Sequence, residues 1–322
     1  MNNYTLFTFT TKGVTYTSQF VESHTLPEGA YITTPFNFPF LSNRVMLILD
    51  KNNWWNPLGG HRENNETWQE TLHREVQEEG GVKIAHVVVV GYIKISHADP
   101  SSPYPMDSIL PITYSSIVSI DSEWKPLETK ERRLLSKDDA SALLALRTDN
   151  NQILEIFNYI LSVRKARSLS YEFLYHTNTI LLQIPISQIY GFVSRDNGDI
   201  CIVRDAGEKH FSLPGGGCEI GETPEDALRR EVQEEAQCDC EFISLLGSVE
   251  VKGFLGEECI EHFQQVRYFA KLKNIQNFIP HKNGFEIEER LFVPLSDVSR
   301  YVSWLTTDIG KIIFDQLCQT KR

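Results

Sequence analysis

The chain contains one internal duplication, and this feature restricts its fold more than any other. Residues 59–82 read GGHRENNETWQETLHREVQEEGGV and residues 215–238 read GGGCEIGETPEDALRREVQEEAQC, at an offset of 156 positions. The run REVQEE is identical in both segments. Solenoid proteins repeat about every 20–50 residues, so a single repeat of this length indicates a duplicated domain instead.

The similarity continues on both sides of the identical run. VVVVGYIKI corresponds to ISLLGSVEV, ETKERRLL at 128–135 to EIEERLFV at 286–293, and EIFNYIL at 155–161 to IIFDQLC at 312–318. A length of 322 residues is sufficient for two domains of ordinary size. We therefore predict domains at residues 1–165 and 166–322, with the boundary in the polar, basic stretch 162–170.

Each half has the same predicted order of elements. VMLIL and DICIV are short apolar runs typical of strands, and Gly-rich turns follow them. TWQETLHREVQEE and TPEDALRREVQEE have helical spacing. Thr67 with Glu70 resembles a capping box, and Thr223 followed by Pro224 is a typical helix start. Alternating strands and helices predict an α/β fold, with helices on both sides of a mixed sheet.

Two Pro-rich stretches, residues 24–43 and 97–113, are present mainly in the first half. We predict that both are loops added to the duplicated domain. Loops of this length are often lids or binding loops, and the alternative is mobile surface.

Charge and composition exclude several classes of protein. The formal net charge is -12, from 31 Lys and Arg against 43 Asp and Glu, so broad binding of a nucleic-acid backbone is not expected. All six cysteines lie in the second half without paired C-x-x-C spacing, which argues against structural zinc. Neither a secretory leader nor a run of about eighteen apolar residues occurs, so we expect a cytoplasmic protein that does not enter a membrane.

Three carboxylates converge on one edge of each predicted helix. They stand at positions i, i+3 and i+4: Glu75, Glu78 and Glu79 in the first half, and Glu231, Glu234 and Glu235 in the second. Hard oxygen donors in this number suit Mg²⁺ or Mn²⁺. A solvated helix face crossed by salt bridges is the alternative for either helix alone. Context favours a metal site, because a Gly-Gly turn able to approach a phosphate precedes each helix and the unit occurs twice.

Both segments resemble the Nudix box, G-x5-E-x7-R-E-U-x-E-E-x-G-U, in which U is apolar. The first segment matches with Gly60, Glu66, Arg74, Glu75, Val76, Glu78, Glu79, Gly81 and Val82. The second matches with Gly216, Glu222, Arg230, Glu231, Val232, Glu234, Glu235 and Cys238. Gln237 replaces the last glycine, which is expected to cost about 1 kcal/mol at a left-handed helix end without affecting the carboxylates.

This resemblance implies two tandem Nudix folds, each an α/β/α sandwich, that hydrolyse a nucleoside diphosphate linked to another group. It implies that Glu75, Glu78 and Glu79, with Glu231, Glu234 and Glu235, bind Mg²⁺ or Mn²⁺, and that Glu78 or Glu79 and Glu234 or Glu235 act as the base. It further implies a loop–helix salt bridge between Glu66 and Arg74 and between Glu222 and Arg230. Gly59, Gly60, Gly215 and Gly216 would form the loops that approach the phosphates. The implied partner is a small nucleotide.

Several alternatives remain open from the sequence. In some Nudix proteins the base lies in a later loop, for which Glu128, Glu131, Glu286 and Glu289 are candidates; solvated loop charges are equally compatible with these acids. One domain, more plausibly the first because of its unusual WNPLGGH loop, could be a non-catalytic nucleotide sensor or scaffold. Arg267, on a predicted strand, is expected to form a strand ion pair, with contact to a phosphate or ribose as the alternative.

Overall fold

The chain divides into two compact units. The first consists of residues 1–170 with 254–261, and the second of residues 171–253 with 262–322. A computed structural model describes residues 4, 6–11, 13–63, 65–100, 102, 105–147, 151–280 and 287–320. No helix in these described ranges is long and apolar enough to cross a bilayer.

The first unit contains an eight-stranded mixed sheet. Its strands are β1 (Phe7–Thr11), β2 (Val14–Glu22), β3 (Phe36–Leu41), β4 (Arg44–Leu49), β5 (Trp55–Asn56), β6 (Val82–Ser96), β7 (Asp107–Ile120) and β8 (Glu131–Leu135). Their order is β1-β2-β6-β7-β3-β4-β5, and β8 pairs with β4. β3 and β7 run parallel at the centre. The helices are α1 (Trp68–Gly80), α2 (Lys137–Ala145) and α3 (Gln152–Ala166).

Helices cover both faces of this first sheet, as predicted. On β4, the alternating residues Val45 and Leu47 join a buried cluster with Phe157 of α3. The intervening Met46 lies on the other face, where a Cβ added to Gly80 of α1 would stand 3.1 Å from its sulfur. Since successive strand residues point to opposite faces, one strand contributes to both layers.

The second unit repeats this plan with a seven-stranded sheet. Its strands are β9 (Ser170–Thr177), β10 (Ile186–Ser194), β11 (Ile200–Asp205), β12 (Gly215–Gly216), β13 (Cys238–Leu255), β14 (Glu258–Ile275) and β15 (Ile287–Val293). Their order is β15-β11-β10-β14-β13-β9, and β12 pairs with β10. The helices are α4 (Pro224–Ala236), α5 (Val298–Tyr301) and α6 (Asp308–Thr320), with 3₁₀ turns at Leu295–Asp297 and Ser303–Thr306.

Helical elements again lie on both faces in the second unit. Leu228 and Val232 of α4 pack with Ile189 of β10 in one buried cluster. The next strand residues point the other way, and Phe192 contacts Trp304 of the second 3₁₀ turn with ring centroids 6.5 Å apart. β10 and β14 are parallel, like β3 and β7 in the first unit.

The prediction of loops at residues 24–43 and 97–113 is wrong in part. Phe36–Leu41 forms the central strand β3, and β7 begins at Asp107. Pro39 made a strand improbable there, because proline lacks the N–H that a central strand donates. The β3–β4 ladder covers only Phe40 and Leu41, so Pro39 lies beyond the pairing on that side.

The predicted helix starts are confirmed, and the helix ends share one backbone conformation. Thr67 and Glu70 form a capping box on α1, and the Thr223 side chain caps α4 before Pro224. Gly81 ends α1 in the left-handed region with φ 57°. Gln237 ends α4 with φ 51°, and its side-chain amide bonds to the backbone N–H and C=O of Ile279 at 2.9 and 2.7 Å. These two bonds offset the backbone strain.

Gly81→Ala should therefore destabilise the first unit by at least roughly 2 kcal/mol. A left-handed residue with a Cβ costs about 1–2 kcal/mol, and this Cβ would also lie 2.5 Å from Trp124. Urea denaturation followed by tryptophan fluorescence is a suitable measurement, because Trp304 is the one tryptophan outside the first half. Gln237→Gly is the control. It removes the backbone strain and also the two side-chain hydrogen bonds, so it should change stability by less than about 1 kcal/mol. Equal midpoints for Gly81→Ala and wild type would contradict this account.

Candidate active sites

In the first unit, a glycine turn packs directly against two glutamates of helix α1. The Gly59 N–H donates a 2.8 Å hydrogen bond to the Glu79 carboxylate. A Cβ added to Gly60 would lie 2.3 Å from the Glu75 carboxylate. Only a residue without a side chain allows this approach, which is why the turn requires glycine.

Arg74 connects this turn to the helix. Its guanidinium makes two bonds to Glu66, at 2.8 and 3.1 Å, and donates to the His61 carbonyl at 3.1 Å. The same group contacts Glu75 at 2.9 Å and Glu78 at 3.1 Å. The predicted Glu66–Arg74 bridge is thus present in the structure, and it is one part of a larger network.

The second unit reproduces this network. Gly215 N–H donates to Glu235 at 2.9 Å, and Arg230 makes two 3.0 Å bonds to Glu222. Arg230 also contacts Glu231 at 2.8 Å and Glu234 at 3.1 Å. The Gln237 substitution leaves all of these contacts in place.

Burial divides the carboxylates of each site into two kinds. In the first unit the Glu78 side chain is 47% exposed, whereas Glu75 is 14% exposed. Burial raises the pKa of Glu75 and raises that of Glu79 to about 7. Hydrogen bonds from Arg74, then Thr71, lower the pKa of Glu66 to about 2. The bridging carboxylate is therefore charged at neutral pH, while burial favours the neutral form of the inner carboxylate Glu79.

The second unit shows the same division. Glu234 is 58% exposed and Glu231 is 12% exposed. Burial raises the pKa of Glu235 well above its usual range. Nearby negative charges on Glu231, Asp205 and Glu234 act in the same direction.

The six carboxylates proposed as metal ligands lie together in two groups of three, but they do not form ready-made cages. Within the described ranges, no group of three or more His, Cys, Asp or Glu side chains is arranged to hold a metal ion as it stands. The contacts explain this arrangement, because Arg74 and Arg230 each draw two of the three carboxylates towards a guanidinium. The donor set itself, three carboxylates beside backbone N–H groups, has the chemistry that Mg²⁺ and Mn²⁺ accept.

The later acids are not equivalent. Glu128 is 80% exposed and lies 3.9 Å from Lys51, and its charge contributes to the raised pKa of Glu75 and Glu79. Glu131 pairs with Arg133 on β8, and Glu289 pairs with Arg204 at 2.7 Å. Glu286 lies outside the described residues.

Asp205, at the end of β11, is a further acid of the second site that was not predicted from the sequence. Its charge acts on Glu235, and burial raises its own pKa. Its position just after the strand that precedes each glycine turn was an available signal, because Asp50 occupies the corresponding place in the first half.

The expectation that Arg267 forms a strand ion pair is wrong. No carboxylate among the described residues pairs with this buried side chain. An ion pair depends on cross-strand register, and adjacent sequence does not specify which side chains face an arginine across a sheet.

A family profile described as the NUDIX domain matches residues 40–157 and 187–313, which together are more than half of the chain. An 8-oxo-dGTP diphosphatase of Escherichia coli strain K12 is 39% identical over 64 residues, which are 19% of this chain and 50% of that protein. An RNA pyrophosphohydrolase of Acinetobacter baylyi is 35% identical over 63 residues, 20% of this chain and 37% of that protein. The chain thus spans half or less of the length of these curated relatives.

Solved structures with similar folds are more distant in sequence. A variant of the Bacillus subtilis pyrophosphohydrolase matches with a TM-score of 0.37 and 18% identity, covering 46% of this chain and 90% of that one. An Ap4A hydrolase of C. elegans, solved as a binary complex, matches with a TM-score of 0.32 and 16% identity, covering 42% and 96%.

The pKa of Glu79 implies a pH-dependent stability. The pKa of Glu79 is about 7 in the folded chain and 4.5 in the unfolded chain, so the folded chain keeps the proton to a higher pH. Its contribution therefore favours folding at low pH and is lost as the pH rises from about 4.5 to about 7. Glu79→Gln removes this dependence, so its stability relative to wild type should increase by roughly 2 kcal/mol between pH 5 and pH 8.

Urea denaturation in a buffer with EDTA at both pH values measures this difference. Glu123→Gln, at an exposed acid of the same unit, is the matched control and should follow wild type. If the Glu79→Gln and wild-type stabilities change in parallel with pH, Glu79 is not the group responsible.

Proposed function

The chain belongs to the NUDIX family, and from this premise we propose that it hydrolyses a pyrophosphate bond in a nucleoside diphosphate linked to another group. The duplicated network carries this proposal. In each unit a glycine N–H donates to the inner glutamate of the helix. One arginine contacts the loop glutamate and the other two acids. Two units with the same arrangement support two catalytic domains.

We propose that each site uses Mg²⁺ or Mn²⁺. Glu75, Glu78 and Glu79 would hold the ion in the first domain, and Glu231, Glu234 and Glu235 in the second. When bound, a divalent cation neutralises phosphate oxygens and activates water for attack at phosphorus. The arginine that now contacts two of these acids would then share them with the cation, since both are positive partners for the same carboxylates.

We assign the general base to Glu79 and Glu235. One oxygen of each carboxylate accepts the bond from the glycine turn, which fixes its orientation. No donor among the described residues bonds to the other oxygen of either group, so that oxygen is available to take a proton from water. Glu78 and Glu234 are the alternatives within the box. Glu128 is the alternative later-loop base in the first domain, because of its electrostatic effect on Glu75 and Glu79.

The proposed substrate is a small nucleotide of the nucleoside triphosphate, nucleotide sugar or dinucleotide type. The E. coli relative acts on 8-oxo-dGTP and a C. elegans structural relative on Ap4A, as their names state. A net charge of -12 opposes binding of an extended nucleic acid but not of a metal-chelated small anion. We also propose a cytoplasmic location, which the six free cysteines support.

Glu79→Gln and Glu235→Gln test the assignment together. If both domains are catalytic, each single variant loses part of the metal-dependent release of phosphate or pyrophosphate. The double variant should lose at least about 100-fold, because removing a general base costs on the order of 10²–10⁴ in rate. A panel of nucleotides, nucleotide sugars and dinucleotides with Mg²⁺ or Mn²⁺ provides the assay, and EDTA should abolish turnover.

Glu123→Gln and Glu241→Gln are the controls, since both acids are exposed and lie outside the proposed sites. A silent Glu79→Gln would make the first domain a non-catalytic sensor or scaffold, which is the alternative hypothesis. Absence of turnover by wild type across the whole panel would contradict the proposed function.

We propose that the domain boundary lies within residues 162–170, with domains at 1–165 and 166–322. The division of the chain between residues 170 and 171 supports this position, although residues 254–261 are grouped with the first unit. Arg164, Lys165 and Arg167 are trypsin sites in this stretch. Brief trypsin digestion should therefore yield two fragments of about half the chain's mass, and first cleavage elsewhere, as read by mass spectrometry, would contradict the boundary.

A further inference from the structure

Arg267 is an arginine inside the second domain, and no carboxylate among the described residues pairs with it. It lies on β14 opposite Tyr190 of β10, and Tyr190 in turn pairs with Gly215 of the glycine turn. The side chain is only 5% exposed. Arg267 is therefore one strand removed from the glycine turn of the second site.

The hydrogen bonds of Arg267 leave part of the guanidinium without a partner. One Nη donates to Gln265 at 2.7 Å, and the other reaches the neighbouring Val266 carbonyl at 3.2 Å. Within the described part of the chain, Nε has no hydrogen-bond partner. Burial lowers the pKa of Arg267 to about 10, so the side chain remains cationic at neutral pH. A buried N–H donor that makes no hydrogen bond costs about 1–3 kcal/mol, and a bound acceptor would remove this cost.

Aromatic rings lie beside the guanidinium. Its central carbon is 4.8 Å from the ring of Tyr190 and 5.2 Å from that of Trp304. Such rings stabilise a cation by about 0.5–2 kcal/mol without consuming its N–H donors. Gln265 is itself held by a 2.9 Å bond from its amide to Gln188. The surroundings thus fix the position of Arg267 and leave its buried Nε–H without a hydrogen bond among the described residues.

Tyr190 connects this arginine to the proposed catalytic carboxylates. Burial raises the pKa of Tyr190, the charge of Arg267 lowers it, and the charges of Glu235 and Glu231 raise it. Arg267 and the acidic cluster therefore lie within electrostatic range of the same hydroxyl. The Tyr190 ring thus lies against both the glycine turn, which donates to Glu235, and the guanidinium of Arg267.

The first domain has no such charge at the equivalent position. A Cβ on Gly59 would meet Phe36, just as one on Gly215 would meet Tyr190. Phe36 pairs with Ile112 on β7, so Ile112 is the counterpart of Arg267 and is fully buried. The duplicated fold therefore does not require an arginine at this position.

A second arginine of this domain, which is partly buried, provides a contrast. Arg290 donates to the Ala236 and Gln276 carbonyls and stacks on Phe278 at 5.2 Å. Its first-domain counterpart Arg132 donates to the Gly80 and Asp121 carbonyls. This arginine closes the end of the acidic helix in both units, as expected for a structural role, whereas Arg267 occurs in one unit only.

We propose that Arg267 binds an oxyanion of the ligand in the second domain, and that the first domain, with Ile112 there, accepts a neutral group instead. This inference rests on the proposed function for the location of the ligand. The oxyanion is a phosphoryl group, either on the nucleoside or on the linked group X. The two domains would then differ in substrate preference while sharing one catalytic arrangement.

Binding of ligands without a pyrophosphate bond tests this proposal without turnover. Isothermal titration in Mg²⁺ compares AMP with adenosine, and ribose 5-phosphate with ribose, so the two pairs distinguish the nucleoside side from group X. In wild type, one pair should favour the phosphorylated member by about 10- to 100-fold, the value of a charged hydrogen bond. Arg267→Met should reduce that ratio about 10-fold or more, and Arg267→Lys should reduce it less.

Arg290→Met is the matched control, because it also removes a guanidinium that stacks on aromatic rings; it should lower the melting temperature and leave the ratio unchanged. An unchanged ratio in Arg267→Met, with or without a loss of stability, would overturn the proposal. So would a wild-type ratio of about one for both pairs. If Arg267→Met does not fold, Arg267→Lys and Arg267→Gln provide the same comparison.

Kinetics separate this inference from the proposed function. In the Glu79→Gln variant only the second site remains catalytic. There, Arg267→Met should raise KM about 10-fold or more for substrates that carry the extra phosphoryl group, with a smaller change in kcat. Absence of turnover in every chain contradicts the proposed function, while the binding ratios still test Arg267. Turnover with an unchanged KM contradicts the inference alone.

Discussion

The arginine of each acidic helix is the contact on which the rest of the site depends. Arg74 and Arg230 each hold three carboxylates and one carbonyl of the glycine turn. Like charges this close together repel one another, so the guanidinium among them stabilises their charged forms. The same guanidinium fixes the turn against the helix by a two-bond contact to Glu66 or Glu222. The same arginine therefore both orients the glycine turn and allows the acidic side chains to lie close together.

Buried packing lies beneath this network. The apolar stripe of α4 is buried against β10, a central strand that carries Tyr190 beside the glycine turn. A turn held on one side by a sheet and on the other by an ion-pair network has little freedom to move away from the glutamates. The pair of residues below the turn, Phe36 with Ile112 or Tyr190 with Arg267, lies outside that network. Substitutions there can change ligand preference while the acidic site stays constant.

The features that the sequence predicted are those whose partners lie close along the chain. The capping box of Thr67 joins residues three apart, and the Glu66–Arg74 bridge joins residues eight apart. The loop and the helix that directly follows it bring such groups together. Two features depended on pairing between distant strands and were mispredicted. Pro39 was assigned to a loop although it lies in β3, and Arg267 was expected to have an ionic partner.

The sequence by itself determined the duplication and the family and predicted the acids of each site, because a repeat and a motif are patterns of neighbouring residues. Tertiary structure decided how those acids differ. Burial separates Glu79 from the exposed Glu78, and only the assembled sheet sets that burial. The parallel register of β10 and β14 decided that Arg267 stands beside Tyr190. Side chains separated by dozens of residues meet through strand pairing, which spacing along the chain does not specify.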